Sequence, residues 1–384
     1  MTQTAIVGIG MTPVSEHWGL SLRELAAEAA QKALEDAGLN TVDAIYVANA
    51  YGSTFNGQTH LGALIADYIG LDGIEAYTVE AGDASGGAAL RTAHMAVLSG
   101  LVNTALVIGV EKATDIVGAS RTKARTISLD ADYEVIHGAT LPSMAALLMR
   151  RYMYEYGLEL SDFEGFSINA HANGKRNQYA MYRNTIRDGA FAHAPMVAAP
   201  VNLFDSAPDG DGAATIVITR QDVAQDLVPQ PITIAASSVT TDAFMIQERK
   251  DMLHLTAVQS SVQTALQQAH LSHQEIDLFE LHDGFTILAA LSLEAAGFAK
   301  RGDGWKLATN TGIGLEGVIP ISTFGGLKSR GNPAGATGVY QAVEATLQLR
   351  GDAGENQVNN AKIAMIQNMG GLSSTVATHI LCIG

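Results

Sequence analysis

The feature that most constrains the fold is an internal repeat. The stretch "LAAEAAQKALEDAGLNTVDAIYV", Leu25 to Val47, returns as "AVQSSVQTALQQAHLSHQEIDLFEL", Ala257 to Leu281. Ala33, Leu34, Ala37 and Leu39 match Ala265, Leu266, Ala269 and Leu271, and Val42-Asp43 match Ile276-Asp277 after a two-residue insertion. Each copy reads as an amphipathic helix running into a buried strand, so the chain is a duplicated α/β unit. Two similar units stack their sheets with helices between and outside them. Helix N-termini from both halves then converge on one cleft.

The rest of the pattern fills in around this repeat. "TAIVGIGMTPV" is a short, β-branched apolar run and predicts a strand. "SLRELAAEAAQKALEDAG" predicts a helix with Ser21 as N-cap and Gly38 as its stop. The segments "DAIYVANA", "THLGALIADYIG", "EAYTVEAG", "SGGAALRTAHMAVLSG" and "TALVIGVEKA" then alternate strand and helix. That alternation predicts a mostly parallel sheet. From about 114 to 202 the pattern gives way to loops and helices, before "AATIVITR" closes the half as a strand. A boundary falls near "QDLVPQPI", which divides the chain into 1–228, with 114–202 as a lid-like insertion, and 229–384.

Composition narrows the class of function. With 47% hydrophobic residues and 384 positions there is enough apolar material for a large core. A formal net charge of −16 repels nucleic acid and anionic membranes, so neither is an expected partner. The one cysteine, Cys382, permits no intrachain disulfide and no cysteine-rich zinc site, which points to a reducing, cytoplasmic setting. No secretory signal is read at the N-terminus.

Four glycine-rich corners carry the polar residues that a cleft between two α/β halves would display: "VEAGDASGG", "LHDGF", "GGLKSRGNPAGATG" and "QNMGG". In the first, Asp83 stands where a strand turns into a helix, a place suited to a nucleophile. The plain alternative is a helix N-cap. His282 has the alternative of a satisfied buried histidine, and Asn332, before a proline, that of a turn residue. Asn368 and Cys382 read as structural. "DGDG" in "APDGDGAA" reads as a turn rather than a calcium loop, and no H-x-x-x-H or H-E-x-x-H pair occurs, so no metal site is expected.

Together with "VGIGMTPV", "GQTHLGALIADYIGL", "GVEKATD", "RRYMYEYG", "DGAATIVIT" and "ISTFGGLKSRGNPAGATGVYQ", these corners resemble the thiolase superfamily along the whole chain, most closely its archaeal and sterol-carrier-protein-type thiolases. The resemblance implies a thiolase-like duplicated five-layer αβαβα architecture of the α/β class. It also implies a coenzyme A thioester as substrate, with no tightly bound cofactor. A homodimer built through the N-terminal half follows from it, as does a small partner subunit with a zinc ribbon and an OB-fold.

Family members use a cysteine nucleophile in C-x-S-G, a histidine in G-H-P-x-G and a polar residue in N-E-x-F or H-D-x-F. A second cysteine lies in C-x-G or H-D-C-F. Here the nucleophile position is Asp83 and the G-H-P histidine position is Asn332. The two candidate second-cysteine positions hold Gly284 and Asn368, and His282 with Asp283 match the H-D pair. Gly370 matches the glycine of C-x-G, which implies an oxyanion hole from the N–H groups of Asp83 and Gly370.

A carboxylate is a poor acyl carrier but a competent base. The expectation is therefore a C–C lyase or synthase of aldol type, with Asp83 as base and His282 and Asn332 polarising the thioester carbonyl. The alternatives are a non-catalytic acyl-CoA-binding subunit, and an acyltransferase of the Claisen or thiolysis type with an altered nucleophile.

Overall fold

A computed structural model describes residues 3–187, 189–309 and 311–383. Eleven strands are present among the described residues: β1 Thr4–Met11, β2 Ala44–Ala48, β3 Glu75–Val79, β4 Thr104–Glu111, β5 Met196–Ala198, β6 Val201–Asn202, β7 Gly212–Arg220, β8 Ile232–Thr241, β9 Leu278–Glu280, β10 Ile363–Gly370 and β11 Thr375–Ile383. The helices that matter for the site are α1 Leu22–Ala37, α2 Leu61–Tyr68, α3 Ser85–Ser99, α4 Ala119–Arg125, α5 Leu141–Tyr156, α6 Glu164–Arg176, α7 Thr256–Ala269, α8 Thr286–Ala295 and α9 Thr337–Arg350.

Nine strands form one sheet in the order β3-β2-β4-β7-β1-β8-β11-β10-β9. Apart from the edge strand β3, which has no counterpart, the order is symmetric about the β1–β8 pair, and the strand senses repeat with it. β1–β7 and β8–β11 are antiparallel, as are β7–β4 and β11–β10, while β4–β2 and β10–β9 are parallel. The repeat extends to single bonds. Asp43 Oδ2 accepts from the N–H groups of Asn103 and Thr104, and Asp277 Oδ2 accepts from those of Lys362 and Ile363.

The expectation of a mostly parallel sheet is corrected: only three of its eight ladders are parallel. The reason lies in the connections. β10 and β11 are joined by a turn too short for a helical crossover, so they must run antiparallel. In the first half the long excursion between β4 and β7 lets the chain return in the opposite sense. That excursion, read as loops and helices, also holds the small β5–β6 hairpin.

The layers follow from which face each core residue joins. Leu25, Ala29 and Ala33 of α1 and Leu61 and Ile65 of α2 pack on Val7, Ile45, Val47 and Ile108. Leu90 and Ala93 of α3 and Val339 and Val343 of α9 lie against Ile6, Tyr46 and Val107 of one half and Ile366 and Leu381 of the other. Val258 and Val262 of α7 and Leu288 of α8 cover Phe279, Met365 and Ile380. Helices thus lie outside, between and outside the two half-sheets, which is the αβαβα stack. β1 seats directly on α1 because Gly8 and Gly10 have no side chain. A Cβ there would lie 2.2 Å from Ala33 O and 2.3 Å from Ala29 O.

Candidate active site

The turn from β3 into α3 is shaped by Ser85, whose Oγ donates to Gly82 O (2.6 Å) and accepts from Ala81 N (2.9 Å). With that bond in place, Asp83 is not needed to cap the helix. The N-cap is Ala84 and no side chain caps α3, so the N-cap reading of Asp83 fails. The Asp83 carboxylate is buried and turns instead toward α4. Arg125 Nη2 donates to Asp83 Oδ2 at 2.7 Å, while Arg125 Nη1 donates to Asp209 Oδ1. The guanidinium lies 5.1 Å over the Tyr51 ring, and Arg121, one turn earlier, sits 3.5 Å from Asp209 Oδ2. Asp83 Oδ1 and the Tyr51 hydroxyl are both buried without a hydrogen-bond partner among the described residues.

The second half supplies the opposite wall. His282 follows β9 and is buried, and burial pushes its pKa below the usual histidine value. Gly284 leaves room beside it: a Cβ at Gly284 would lie 3.3 Å from His282 Nε2. Asn332 Oδ1 accepts from Ala334 N (2.9 Å) and Thr337 Oγ1 (3.2 Å), which is a turn role. Its amide Nδ2 donates to no described residue, and Asn332 faces the cleft. Backbone bonds from Asn332 N to Pro208 O and from Gly210 N to Asn332 O tie this corner to Asp209. Glu111 binds the corners together from below, accepting from the N–H groups of Ala50, Tyr51 and Gly335 and from Asn49 Nδ2.

These elements enclose a cavity of about 320 Å³. Asp83, Arg121, Arg125 and Asp209 line one side, and His282, Gly284 and Asn332 line another. Leu141, Pro142, Val197, Leu203, Phe285 and Leu288 form an apolar wall. Two carboxylates face two guanidiniums, so the pocket is charge-balanced within an acidic molecule.

Of the residues singled out from the sequence, Asp83, His282, Gly284 and Asn332 meet here. Asp283 and Asn368 lie behind the cavity. Asp283 accepts from Leu327 N (2.7 Å) and Ser322 Oγ (3.0 Å) and holds the 322–327 loop. Gly370 packs beside Gly82, and its neighbour Gly371 reaches the lining. The "DGDG" turn does more than turn. Asp209 enters the site, and Asp211 accepts from Ala113 N, Thr114 N and Thr114 Oγ1. No cluster of metal-ligating side chains occurs among the described residues. Arg121, Arg125 and Tyr51 were not anticipated, since a basic pair four residues apart in a presumed loop carries no signal until the fold closes over it.

Two family models match this chain: "Thiolase, N-terminal domain" over residues 4–188 and "Thiolase C-terminal domain-like" over 238–382. The chain belongs to the thiolase family. It is 38% identical over 382 residues to an acetyl-CoA acetyltransferase of Methanothermobacter thermautotrophicus, with 99% of each chain covered. It is 29% identical to sterol carrier protein 2 of Bos taurus, covering 97% of this chain and 71% of that one. Among solved structures it resembles the Ltp2-ChsH2(DUF35) aldolase, with a TM-score of 0.86 and 24% identity over 99% and 98% of the two chains.

In this thiolase-family chain the one thiol is far from where the family's pattern places it. Cys382 lies half-buried on β11, outside the cavity lining, and burial pushes its pKa up to about 11. No helix among the described residues is long and apolar enough to cross a membrane.

Proposed function

We propose that this chain works on coenzyme A thioesters without a covalent cysteine intermediate, making or breaking a C–C bond by aldol chemistry. One observation carries the reading: the cavity enclosed by the four motif corners holds the Asp83 carboxylate where the family's pattern has its nucleophile, and no thiol lines it. The thioester oxygen lies against His282, with the free Asn332 amide nearby; the N–H groups of Asp83 and Gly370 are the separate, second oxyanion hole that the family resemblance implies. In the cleavage direction Asp83 takes the proton of a β-hydroxyl. The Cα–Cβ bond breaks, the new carbonyl leaves, and the electron pair enters the thioester as an enolate. The acyl group rests on the wall of Leu141, Val197, Leu203, Phe285 and Leu288.

Two other readings each have support. Arg125 occupies Asp83 Oδ2 while Oδ1 is buried, which favours a non-catalytic acyl-CoA-binding subunit. The 38% identity to an acetyl-CoA acetyltransferase favours transferase chemistry with an altered nucleophile.

For assembly, we infer a homodimer through β3, an edge strand whose Tyr77 is 42% exposed. A second, small subunit is inferred from the family resemblance and from a structural relative whose name joins Ltp2 to a DUF35 protein. The single half-buried thiol supports a reducing compartment.

The test is parallel turnover of a β-hydroxyacyl-CoA and, with free CoA, a β-ketoacyl-CoA. The expected result is cleavage of the hydroxyl substrate alone. Asp83→Asn should lower that rate by about 10²–10⁴-fold with thioester affinity nearly unchanged. Preferential thiolysis of the ketone would replace this reading with the transferase one. Thioester binding by calorimetry without turnover of either substrate would leave the binding subunit.

A further inference from the structure

Asn368 stands at a family cysteine position, yet its side chain does not reach the cavity. It is enclosed where the two central helices cross. Gly87 of α3 and Gly338 of α9 both face it. A Cβ at Gly338 would lie 2.3 Å from Asn368 Oδ1, and one at Gly87 would lie 3.1 Å from Asn368 Cβ. Two absent side chains therefore make the space that this one amide fills.

The amide has only one orientation available. Gly87 N–H donates to Asn368 Oδ1 at 2.9 Å, and a backbone N–H cannot accept. The oxygen is fixed on the Gly87 side, which turns the NH2 group toward His282. Asn368 Nδ2 lies 3.5 Å from His282 Nδ1. An NH2 group facing a ring nitrogen favours the bare, accepting form of that nitrogen. The ring proton is then on Nε2, the nitrogen beside the space left open by Gly284.

We propose that Asn368 is a positioning residue that fixes the Nε2–H tautomer of His282, so that a ligand oxygen meets a neutral N–H donor and not a base. Burial supports the neutral form by disfavouring the imidazolium. The charged groups acting on the ring oppose one another, Asp83 and Asp283 favouring protonation and Arg125 and Arg330 disfavouring it. The proposal rests on the reading above only in taking the ligand oxygen to be that of a thioester.

The experiment records long-range ¹H–¹⁵N correlations on the full chain labelled at histidine, without ligand, at pH 7. His282→Gln identifies the His282 signals among the eleven histidines. The expected result is a protonated Nε2 and a bare Nδ1. A protonated Nδ1 or an imidazolium in the unsubstituted protein overturns the proposal, whatever the variants do. Asn368→Asp keeps the shape and the Gly87 bond but offers His282 an acceptor, so it should move a proton onto Nδ1 while the other histidine signals stay in place. An unchanged His282 pattern in folded Asn368→Asp also overturns it. In the thioester assay the same variant should lower kcat by about 10²–10³-fold, the effect of removing one oxyanion donor, with KM little changed. If the tautomer is as stated but no thioester binds, the functional reading falls and the assignment of Asn368 stands.

Discussion

Arg125 carries its charge between two carboxylates, out of contact with most of the solvent, and this makes the trio more than the sum of its pairs. Removing the cation leaves the buried Asp83 carboxylate without its ion-pair partner, while the half-buried Asp209 keeps only Arg121. Arg125→Met should therefore destabilise the fold by about 3–5 kcal/mol. Asp83→Asn should cost less, about 1–2 kcal/mol, because Asp209 still neutralises the guanidinium. The double variant should fall short of additivity by about 1–3 kcal/mol in urea denaturation. Strict additivity would mean that the Asp83–Arg125 contact is not coupled to folding. At this scale the sequence was partly legible. Asp83, His282 and Asn332 could be picked out because they sit in glycine-rich corners with family spacing. Their partners could not, because Arg125 reaches Asp83 only once an insertion of irregular pattern has folded over the sheet, and Asp209 looks like any turn aspartate.

Helix ends show how a duplicated element diverges. α1 has a capping box between Ser21 and Glu24 and stops at Gly38, which is left-handed at φ 65°. Its counterpart α7 has no side-chain cap and stops at His270, left-handed at φ 56°. The backbone is the same in both, since Leu39 N donates to Leu34 O and Leu271 N donates to Leu266 O. A side chain in that conformation costs about 1–2 kcal/mol that glycine avoids. His270→Gly should then stabilise the protein by about 1 kcal/mol, and Gly38→His should destabilise it by a similar amount, read as midpoint shifts in thermal or chemical unfolding. A loss of stability in His270→Gly would show that the imidazole makes a compensating contact. The ends of α1 were readable because capping is local chemistry. The sense of β7 and β11 was not, because it depends on connection length and on which strand the chain returns to.

For the molecule as a whole, acid is the informative perturbation. His94 bonds Thr4 Oγ1 through Nδ1, and His379 is fully buried with Nε2 on Gly87 O and Nδ1 unpartnered. Burial holds them down to about 4 and about 3. In the unfolded chain both titrate near about 6.5. The unfolded state therefore binds more protons in that window, and stability falls as pH drops from about 6.5 toward the folded values. Glu344, whose pKa burial raises, acts in the opposite sense above the ordinary glutamate value, so the discriminating quantity is a difference. His94→Gln should recover about 3 kcal/mol relative to the unsubstituted protein between pH 7 and pH 4. Parallel stability–pH curves for the two proteins would count against a buried neutral His94.

The enclosure of Asn368 by two glycines limits what can stand in its place. A cysteine placed there would leave the Gly87 N–H without its acceptor and open a gap at the helix crossing. An alanine at Gly338 would strike the asparagine, and one at Gly87 would strike Ala377 beside it. A thiol at position 368 thus forfeits that bond, and one at position 83 leaves Arg125 without one of its two carboxylates. A thiol in this cleft is therefore disfavoured by what surrounds it: placing one there would require several neighbouring residues to change together.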